Sequence, residues 1–385
     1  MTHGCTSHSQ DFLVIGGGIV GASIAYGIQR LGFKTALVDT APGQTGADKA
    51  SRGNMGLIWC QSKFAHFPKY ARWGFTASSA YAPFVSDVEE FSGINTHYSP
   101  SGGLIPCLGE KDFSSREQYL GALRKSVGAD YPARMILRDE LQSKLPRVPF
   151  GPEVCGAVWC DRDGFIEPLQ LLYAVRKAFV NLGGQWHSES PIFSVRQEGA
   201  GYKALGPGGS YSAAKIILAA GLSNKKLCSE LGLTLPIFAD RSQVMLTERI
   251  DDILPIPILG ITRTPGGTVM IGFKHERAGS DSSIAPDIVI EEGKWALRVW
   301  PELGKLRIIR TWSGLRVMPE DGQPIYDTVP GHPKVFIVNA HSAVTLAPLH
   351  ASILPQWITG DSALPEDALS FSLARFNPQA QEQAC

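Results

Sequence analysis

The sequence predicts an α/β protein with two intertwined domains, and three observations lead to that prediction. Strand-like and helix-like segments alternate along the chain. The length of 385 residues exceeds what one core of ordinary size accommodates. A glycine-rich turn joins the first predicted strand to the first predicted helix, and this turn carries the most specific information.

The turn has the form Gly16-x-Gly18-x-x-Gly21, between an apolar strand over residues 12–15 and an amphipathic helix. Gly16 permits a tight turn, Gly18 lets the backbone approach a pyrophosphate, and Gly21 lets the helix pack closely on the strand. The start of the helix supplies N–H donors to the phosphates. This is the pattern of a Rossmann-like domain that binds a dinucleotide.

A second apolar strand, over residues 35–38, ends before Asp39, where a carboxylate can accept hydrogen bonds from a ribose diol. An acid at this position suits NAD and FAD equally, so the motif alone leaves the two open. The cofactor-binding residues predicted in this region are Gly16, Gly18, Ile19, Val20, Gly21, Asp39 and Thr40.

Composition excludes several classes of function. Lys plus Arg and Asp plus Glu are both 36, so net charge gives no reason to expect binding to nucleic acid or an anionic membrane. No apolar run reaches the roughly 18 residues of a membrane span, and we expect the polar first ten residues to be a short disordered lead-in rather than a signal peptide. The seven cysteines include no CxxC pair, which favours reduced thiols in a cytoplasmic protein and no metal site.

The remaining elements are predicted from periodicity and turn residues. We expect a helix over residues 169–182, strands over 192–195 and 215–221, and antiparallel strands within 258–271. Residues 284–299 contain one predicted helix, and 312–325 form a predicted loop around Arg316, rich in Gly, Pro and charge. The last strand is predicted over 335–340, followed by a helix from about Leu349.

Four segments together resemble the D-amino-acid-oxidase-like FAD-dependent oxidoreductases of the glycine oxidase and sarcosine oxidase type. They are the N-terminal glycine motif with Asp39, residues 50–56, the strand end at 218–221, and residues 314–325 with 341–348. The resemblance covers nearly the whole chain. Within that family, residues 51–59 and 341–348 look most like the catalytic β subunits of opine and hydroxyproline dehydrogenases, where partner subunits can take the electrons.

The resemblance implies noncovalent FAD in a discontinuous domain of the glutathione reductase type, over residues 10–90, 151–235 and 312–370. A mixed or antiparallel substrate domain would then comprise 91–150 and 236–311, with flexible termini at 1–9 and 371–385. Residues implied to contact FAD beyond the glycine motif are Ser51, Arg52, Asn54, Met55, Gly56, Leu57, Ile192, Ala220, Gly221, Gly314, Ala343, Val344, Thr345 and Leu346.

The implied chemistry is oxidation of a C–N bond in an amino acid or amine, with Arg316 and His341 as the implied substrate-site residues. An Arg at the Gly-Leu-Arg position would pair with the substrate carboxylate. Two alternatives stay open: Arg316 could instead tie its loop to Asp321 or Glu320, and His341 could be a packing residue. Met270 falls where sarcosine-oxidase-like proteins place a lysine that helps oxygen react, which counts mildly against an oxidase.

Two other functions are compatible with the sequence. The chain could be a flavoprotein of this fold that oxidises a hydroxy acid or modifies tRNA, although zero net charge argues against tRNA. It could also be a noncatalytic FAD-binding subunit. A hetero-oligomer with electron-accepting subunits and a homo-oligomer are both open, as is the choice between oxygen, a quinone and a partner protein as acceptor.

Overall fold

The computed structural model describes residues 9–40, 50–61 and 67–377. The strands are β1 Ser9–Ile15, β2 Thr35–Val38, β3 Leu57–Ile58, β4 Gly103–Leu108, β5 Ala133–Leu137, β6 Val154–Cys160, β7 Gly164–Phe165, β8 Gln185–His187, β9 Ser194–Glu198, β10 Gly201–Gly206, β11 Gly209–Leu218, β12 Ile237–Arg249, β13 Ile261–Arg263, β14 Thr268–Ile271, β15 His275–Glu276, β16 Ile308–Pro319, β17 Ile325–Val329 and β18 His332–Asn339. The α-helices are α1 Ile19–Arg30, α2 Pro68–Ser79, α3 Tyr81–Ser92, α4 Glu110–Val127, α5 Arg138–Lys144, α6 Pro168–Asn181, α7 Asn224–Ser229, α8 Pro286–Val299, α9 Ala343–Thr359 and α10 Glu366–Leu369.

The larger sheet has the strand order β17-β18-β11-β1-β2-β8. β18, β11, β1, β2 and β8 run parallel, whereas β17 pairs with β18 in the antiparallel sense. β1 lies at the centre of the sheet, with Leu13 opposite Ile216 on one side and Ala36 on the other. Its residues from Phe12 onward are buried, as expected for a parallel sheet covered on both faces.

Helices α1, α6 and α9 cover one face of this sheet. α1 and α9 approach so closely that a Cβ on Gly27 would lie 2.2 Å from the carbonyl oxygen of Ala351. On the opposite face lie β9 and β10, which continue from β11 in the antiparallel sense, and α7, whose Leu227 and Cys228 are buried there.

The second region is built on antiparallel strands. β12 pairs with β16 from Ile237 opposite Pro319 onward, and it pairs with β14 and β15 on its other side. β13 extends the sheet beyond β14. A three-stranded sheet, β4-β6-β5, approaches it where Leu104 and Ile258 form a β-bridge.

Several predicted elements are confirmed. The strand, helix and strand of the glycine motif are β1, α1 and β2, and the helix predicted at 169–182 is α6. The strands predicted within 258–271 are β13 and β14, and the helix within 284–299 is α8. The strand predicted at 192–195 is β9, which starts only at Ser194, so Ile192 lies two residues before the strand.

The predicted loop over 312–325 is wrong for its first part, because residues 312–319 belong to β16. Their backbone groups pair with β12, and Gly314 and Arg316 lie opposite Ser242 and Asp240. Glycine and proline suggested a loop, but partner-strand pairing outweighs such local preferences.

The predicted helix start at about Leu349 is also wrong, because α9 begins at Ala343. The prediction placed Pro348 before the helix, yet it lies inside. A proline there deprives the carbonyl of Val344 of its usual donor. The hydroxyl of Tyr81 donates to that carbonyl instead, at 2.8 Å, which removes the main penalty.

The C-terminal residues up to 377 are not the flexible tail that was predicted. Phe371 is fully buried, and its carbonyl accepts a hydrogen bond from Tyr326 N at 3.0 Å. Arg375 pairs with Asp321 at 2.7 Å. At the other end, β1 already begins at Ser9, whereas residues 1–8 and 378–385 lie outside the described part of the chain.

Two strands pair with partners on the other side of a predicted domain boundary. β6 was assigned to the FAD domain but pairs with β4 and β5, and β16 pairs with β12 across the boundary at 312. The sheets therefore do not end at residues 151 and 312, and the division into two domains stays a prediction. In the described ranges, every helix is too short or too polar to cross a bilayer.

Candidate dinucleotide and substrate site

The glycine loop between β1 and α1 is fixed by close backbone contacts. A Cβ on Gly16 would lie 2.4 Å from the carbonyl oxygen of Ala219, and one on Gly21 would lie 1.9 Å from the carbonyl oxygen of Gly16. Gly16 also has a φ of +107°, which favours glycine. These two positions therefore require glycine for the fold itself.

Gly18 differs because its surroundings are open. Its φ is −63°, and a Cβ there would meet only the Ser51 side chain within 4 Å, at 3.0 Å from Oγ. Ser51 Oγ accepts a hydrogen bond from Ile19 N, at 3.0 Å, and thus caps one of the N–H groups at the start of α1. The next residue, Val20, is half-buried.

Asp39 follows β2 beside this loop, and its side chain is 17% exposed. Oδ1 accepts from Thr40 N at 2.9 Å, and Oδ2 lies 3.3 Å from Nη2 of Arg176. The Asp39 carbonyl accepts from Ser190 N at 2.7 Å. Ile192, which is half-buried, lies two residues after Ser190, so this hydrogen bond brings the segment that contains Ile192 near Asp39.

The ends of β11 and β18 are joined by two asparagines. Asn224 Oδ1 accepts from Ala220 N at 2.9 Å, and its Nδ2 donates to Asn339 Oδ1 at 2.8 Å. Asn339 in turn donates to the carbonyl of Gly221 at 3.2 Å. This network fixes the predicted contact residues Ala220 and Gly221.

The segment 50–61 lies between α9 and the short strand β7. Asn54 Oδ1 accepts from Gly56 N at 2.6 Å, and a Cβ on Gly56 would lie 2.0 Å from the carbonyl oxygen of Ile166. Half-buried Arg52 belongs to the same segment. The Thr345 hydroxyl, on α9, accepts from Trp59 N at 3.1 Å and donates to the carbonyl of Leu57 at 3.4 Å. The implied FAD-contacting segments are therefore connected directly.

One face of the antiparallel sheet is turned toward this segment. Side chains alternate along β16, so Trp312, Gly314 and Arg316 share a face. The side chains that pack together here are Phe165, Val244, Met270, Met55 and Trp312. A Cβ on Gly53 would lie 3.4 Å from Cα of Gly314, so the backbone of segment 50–61 passes directly over β16.

Arg316 pairs with Asp240 through Nη1 and Oδ2, 3.3 Å apart. The side chain of Asp240 is 4% exposed and that of Arg316 is 31% exposed. Burial lowers the pKa of Arg316, and the charge of Asp240 opposes that change. The two partners considered as alternatives are occupied otherwise, because Asp321 pairs with Arg375 and Glu320 with Arg277.

His341 lies beside Tyr70, a fully buried residue of α2. Its Nδ1 is 3.5 Å from the tyrosine hydroxyl, and the ring centroids are 5.8 Å apart. Burial raises the pKa of Tyr70, and the nearby charge of Arg316 partly opposes this. The structure therefore brings His341 and Arg316 together around Tyr70.

The start of α9 follows His341 directly. The first N–H groups of a helix have no partner within it, so they can face an anionic ligand. Ala343, Val344 and Thr345 occupy these positions. Leu346 N already donates to the carbonyl of Ser342 at 3.0 Å, so Leu346 does not offer its N–H as the resemblance implied.

A buried group that the sequence did not predict contains two cysteines and an aspartate. Cys60 and Cys160 have their sulfurs 3.6 Å apart, and a carboxylate oxygen of Asp163 lies within 4.8 Å of both. Asp163 already accepts from Cys60 N, Gln61 N and Gln61 Nε2. Burial raises the pKa of Asp163 to about 6, and the hydrogen bond with Cys160, together with burial, raises the pKa of the Cys60 thiol. The carboxylate is thus satisfied by protein donors.

Residues 11–357 match the family model described as FAD dependent oxidoreductase, or DAO. The chain belongs to this family. It is 35% identical over 374 residues to one of the opine oxidase subunits of Agrobacterium tumefaciens (strain Ach5), with 96% of this chain and 98% of the relative covered.

Two solved structures show the same fold. The crystal structure of glycine oxidase from Geobacillus kaustophilus has a TM-score of 0.87 at 20% identity, covering 96% of this chain and 99% of that one. L-proline dehydrogenase from P. horikoshii has a TM-score of 0.81 at 18% identity, covering 98% and 99%.

The described residues fit the FAD of this family. Gly18 leaves open space at the start of α1, where the pyrophosphate of a dinucleotide is held. Asp39 lies beside that loop, where its carboxylate could accept hydrogen bonds from an adenosine ribose. Gly53 passes close over Gly314, and Thr345 at the start of α9 binds segment 50–61, so these elements meet where the resemblance implies the flavin.

The sequence did not single out five residues that hold the site together. They are Tyr70, Arg176, Asn224, Asp240 and Asn339. Asn224 follows a predicted strand end that leads into a helix, so its position as a turn residue was a usable signal. The other four residues had no such signal in the sequence, because the residues that they bind are distant in the chain.

Proposed function

We propose that this FAD-dependent oxidoreductase oxidises the C–N bond of an amino acid or secondary amine that carries a carboxylate. Relatives named opine oxidase and glycine oxidase support this class of substrate. The observation that carries the proposal is the position of Arg316, which lies on the same sheet face as Trp312 and near Tyr70.

In this proposal Arg316 binds the substrate carboxylate. A guanidinium can use two parallel N–H donors for a carboxylate, and its contact with buried Asp240 involves only Nη1. The apolar side chains of Met55, Phe165 and Met270 exclude water from the adjoining space. When bound, FAD supplies the acceptor for a hydride from the carbon next to nitrogen, and water hydrolyses the resulting imine.

His341 is the second substrate-site residue in this proposal. Its contact with the Tyr70 hydroxyl holds the ring at the start of α9, beside the helix N–H groups. There it can line the pocket in which the substrate amine is held. No strong base is required of it, because the substrate need only present a neutral amine.

We also propose that a second, different protein chain takes the electrons, because two relatives are each named as one subunit of an opine oxidase. FAD is expected to be noncovalent, since the only cysteine after Cys228 is Cys385. Acid precipitation of the purified protein should release the yellow flavin into the supernatant. Colour retained in the pellet would contradict noncovalent binding.

The decisive experiment compares wild type and Arg316→Lys in anaerobic flavin reduction by a panel of secondary amino acids, opines and D-amino acids. Lysine keeps the charge but lacks the two parallel N–H donors of the guanidinium, so the second-order rate constant of flavin reduction should fall roughly ten- to a hundredfold. FAD content and melting temperature should barely change. A decarboxylated analogue should reduce both proteins at similar rates.

Two results would contradict the proposal. The first is an equal fall in the flavin reduction rate of Arg316→Lys with the acid and with its decarboxylated analogue, which would show that Arg316 has a structural role. The second is a flavin that no amine in the panel reduces but a hydroxy acid does.

A further inference from the structure

Arg176, on α6, contacts both parts of the dinucleotide motif. Its Nε donates to the carbonyl of Gly17 at 2.8 Å, and Nη2 donates to the same oxygen. Nη2 also lies 3.3 Å from Oδ2 of Asp39. The guanidinium carbon is 4.7 Å from the ring centroid of Trp186, and the arginine side chain is only 13% exposed.

These contacts determine the direction of one peptide group. In a trans peptide the C=O and the N–H point in opposite directions, and no cis peptide occurs in the described residues. Because Arg176 holds the Gly17 carbonyl, the N–H of Gly18 points away from α6. Within the described residues this N–H has no hydrogen-bond partner. It belongs to the one glycine of the motif whose surroundings are open.

The same contacts affect the charge at the site. Burial lowers the pKa of Arg176, and the negative charge of Asp39 opposes that change. A guanidinium next to the acid offsets a negative charge that would otherwise repel the pyrophosphate. It also engages Oδ2 while Oδ1 accepts from Thr40 N, which fixes the carboxylate plane.

We propose that Arg176 is a positioning residue for FAD, which aims the Gly18 N–H at the pyrophosphate and orients Asp39 for the adenosine ribose. Trp186 packs against the guanidinium, whose carbon lies 4.7 Å from its ring centroid, and a Cβ on Gly17 would lie 2.5 Å from the same ring. The inference concerns the cofactor and does not depend on the identity of the substrate.

The test uses the full chain freed of flavin and three variants: Arg176→Gln, Arg176→Lys and the matched control Lys177→Gln. Lys177 is the exposed neighbour on the same helix. FAD affinity is measured by quenching of flavin fluorescence. Arg176→Gln should weaken FAD binding roughly ten- to a hundredfold, because it removes charge-assisted hydrogen bonds. The FAD affinity of Arg176→Lys should lie between those of wild type and Arg176→Gln, and the affinity of Lys177→Gln should match wild type.

Riboflavin separates positioning from general stability, because it lacks both the pyrophosphate and the adenosine. Its affinity should be the same in wild type and Arg176→Gln. Added guanidinium ion at millimolar concentration should restore part of the FAD affinity of an Arg176→Ala protein. The Arg176→Gln effect should also shrink when Asp39 is already Asn, since the two side chains act as a unit.

Unchanged FAD affinity in Arg176→Gln would overturn the proposal. Equal losses for FAD and riboflavin would also overturn it, because they would show that Arg176 only supports the packing of α6. If Arg176→Gln does not fold, the Arg176→Lys protein decides between the same two outcomes.

Discussion

The dinucleotide end and the substrate end of the site are built in different ways. At the dinucleotide end, the strand, glycines, helix and acid all lie within residues 9–39, and the contact between Gly16 and Gly21 is local, although Gly16 also packs against Ala219. At the substrate end, the Tyr70 and His341 pair is 271 residues apart, and the Arg316 and Asp240 pair is 76 residues apart. The first end therefore depends on local backbone shape, and the second on strand register and helix packing.

This difference has a consequence for mutation. A change in the glycine loop acts on the backbone or on the space next to it, so its effect is large and specific to the cofactor or to the fold. A change at the substrate end removes one of several contacts between distant segments. Its effect should be smaller and should combine with those of its neighbours.

The largest expected effect is that of Gly18→Val on FAD affinity. The backbone at Gly18 accepts any residue, since its φ is −63°, but the side chain would fill the open space. We expect FAD binding to weaken at least roughly a hundredfold, with a nearly unchanged melting temperature of the flavin-free protein.

Gly21→Ala provides the contrast for that variant. Its Cβ would lie 1.9 Å from the carbonyl of Gly16, so the flavin-free protein itself should melt early. Stoichiometric FAD in purified Gly18→Val protein would show that the open space at Gly18 is not used by the cofactor.

The next effect concerns stability in acid, through His350, a fully buried residue of α9. Burial lowers the pKa of this histidine to about 3, well below its ordinary value of 6.5. Below pH 6.5 the unfolded chain therefore binds a proton that the folded chain refuses. This group should cost about 1.4 kcal/mol of stability for each pH unit between 6.5 and 3.

Urea denaturation at pH 6.5 and pH 5 checks this effect. From pH 6.5 to pH 5, the free energy of unfolding should fall by about 2 kcal/mol more in wild type than in His350→Gln. Asp163, whose raised pKa has the opposite effect on stability, is present in both proteins and cancels. Equal losses in the two proteins would show that His350 titrates normally in the fold.

An effect of similar size is expected for Thr345→Val, which breaks the connection between α9 and segment 50–61. The N–H of Trp59 would lose its acceptor in a buried position, at a cost of about 1–3 kcal/mol in unfolding free energy. Thr345→Ser keeps the hydroxyl and should stay near wild type. If the valine and serine variants were equally stable, the hydroxyl would not be the connecting group.

The smallest expected effect is that of Tyr70→Phe. It removes a hydroxyl 3.5 Å from Nδ1 of His341 and leaves the ring in place. Stability should fall by about 0.5–1.5 kcal/mol, and FAD content should not change. A loss of FAD from this variant would mean that the substrate end controls cofactor binding, against the separation described above.

The sequence by itself determined the strand, glycine loop, helix and acid of the dinucleotide end. The residues of that pattern lie near one another in the chain, so the pattern can be recognised without the fold, although Ala219 and Arg176, which pack against it, are distant. It also indicated the family, through residues 50–56 and 314–325, and it pointed to Arg316 and His341.

Only the tertiary structure decided what surrounds those two residues. Residues 312–319 form a strand because β12 pairs with them, and Asp240 meets Arg316 through that register. α9 begins at Ala343 because Tyr81 satisfies the carbonyl that Pro348 leaves without a donor. Arg176 reaches Gly17 because α6 packs beside α1. Contacts of this kind join segments far apart in the chain, and a local pattern of residues carries no record of them.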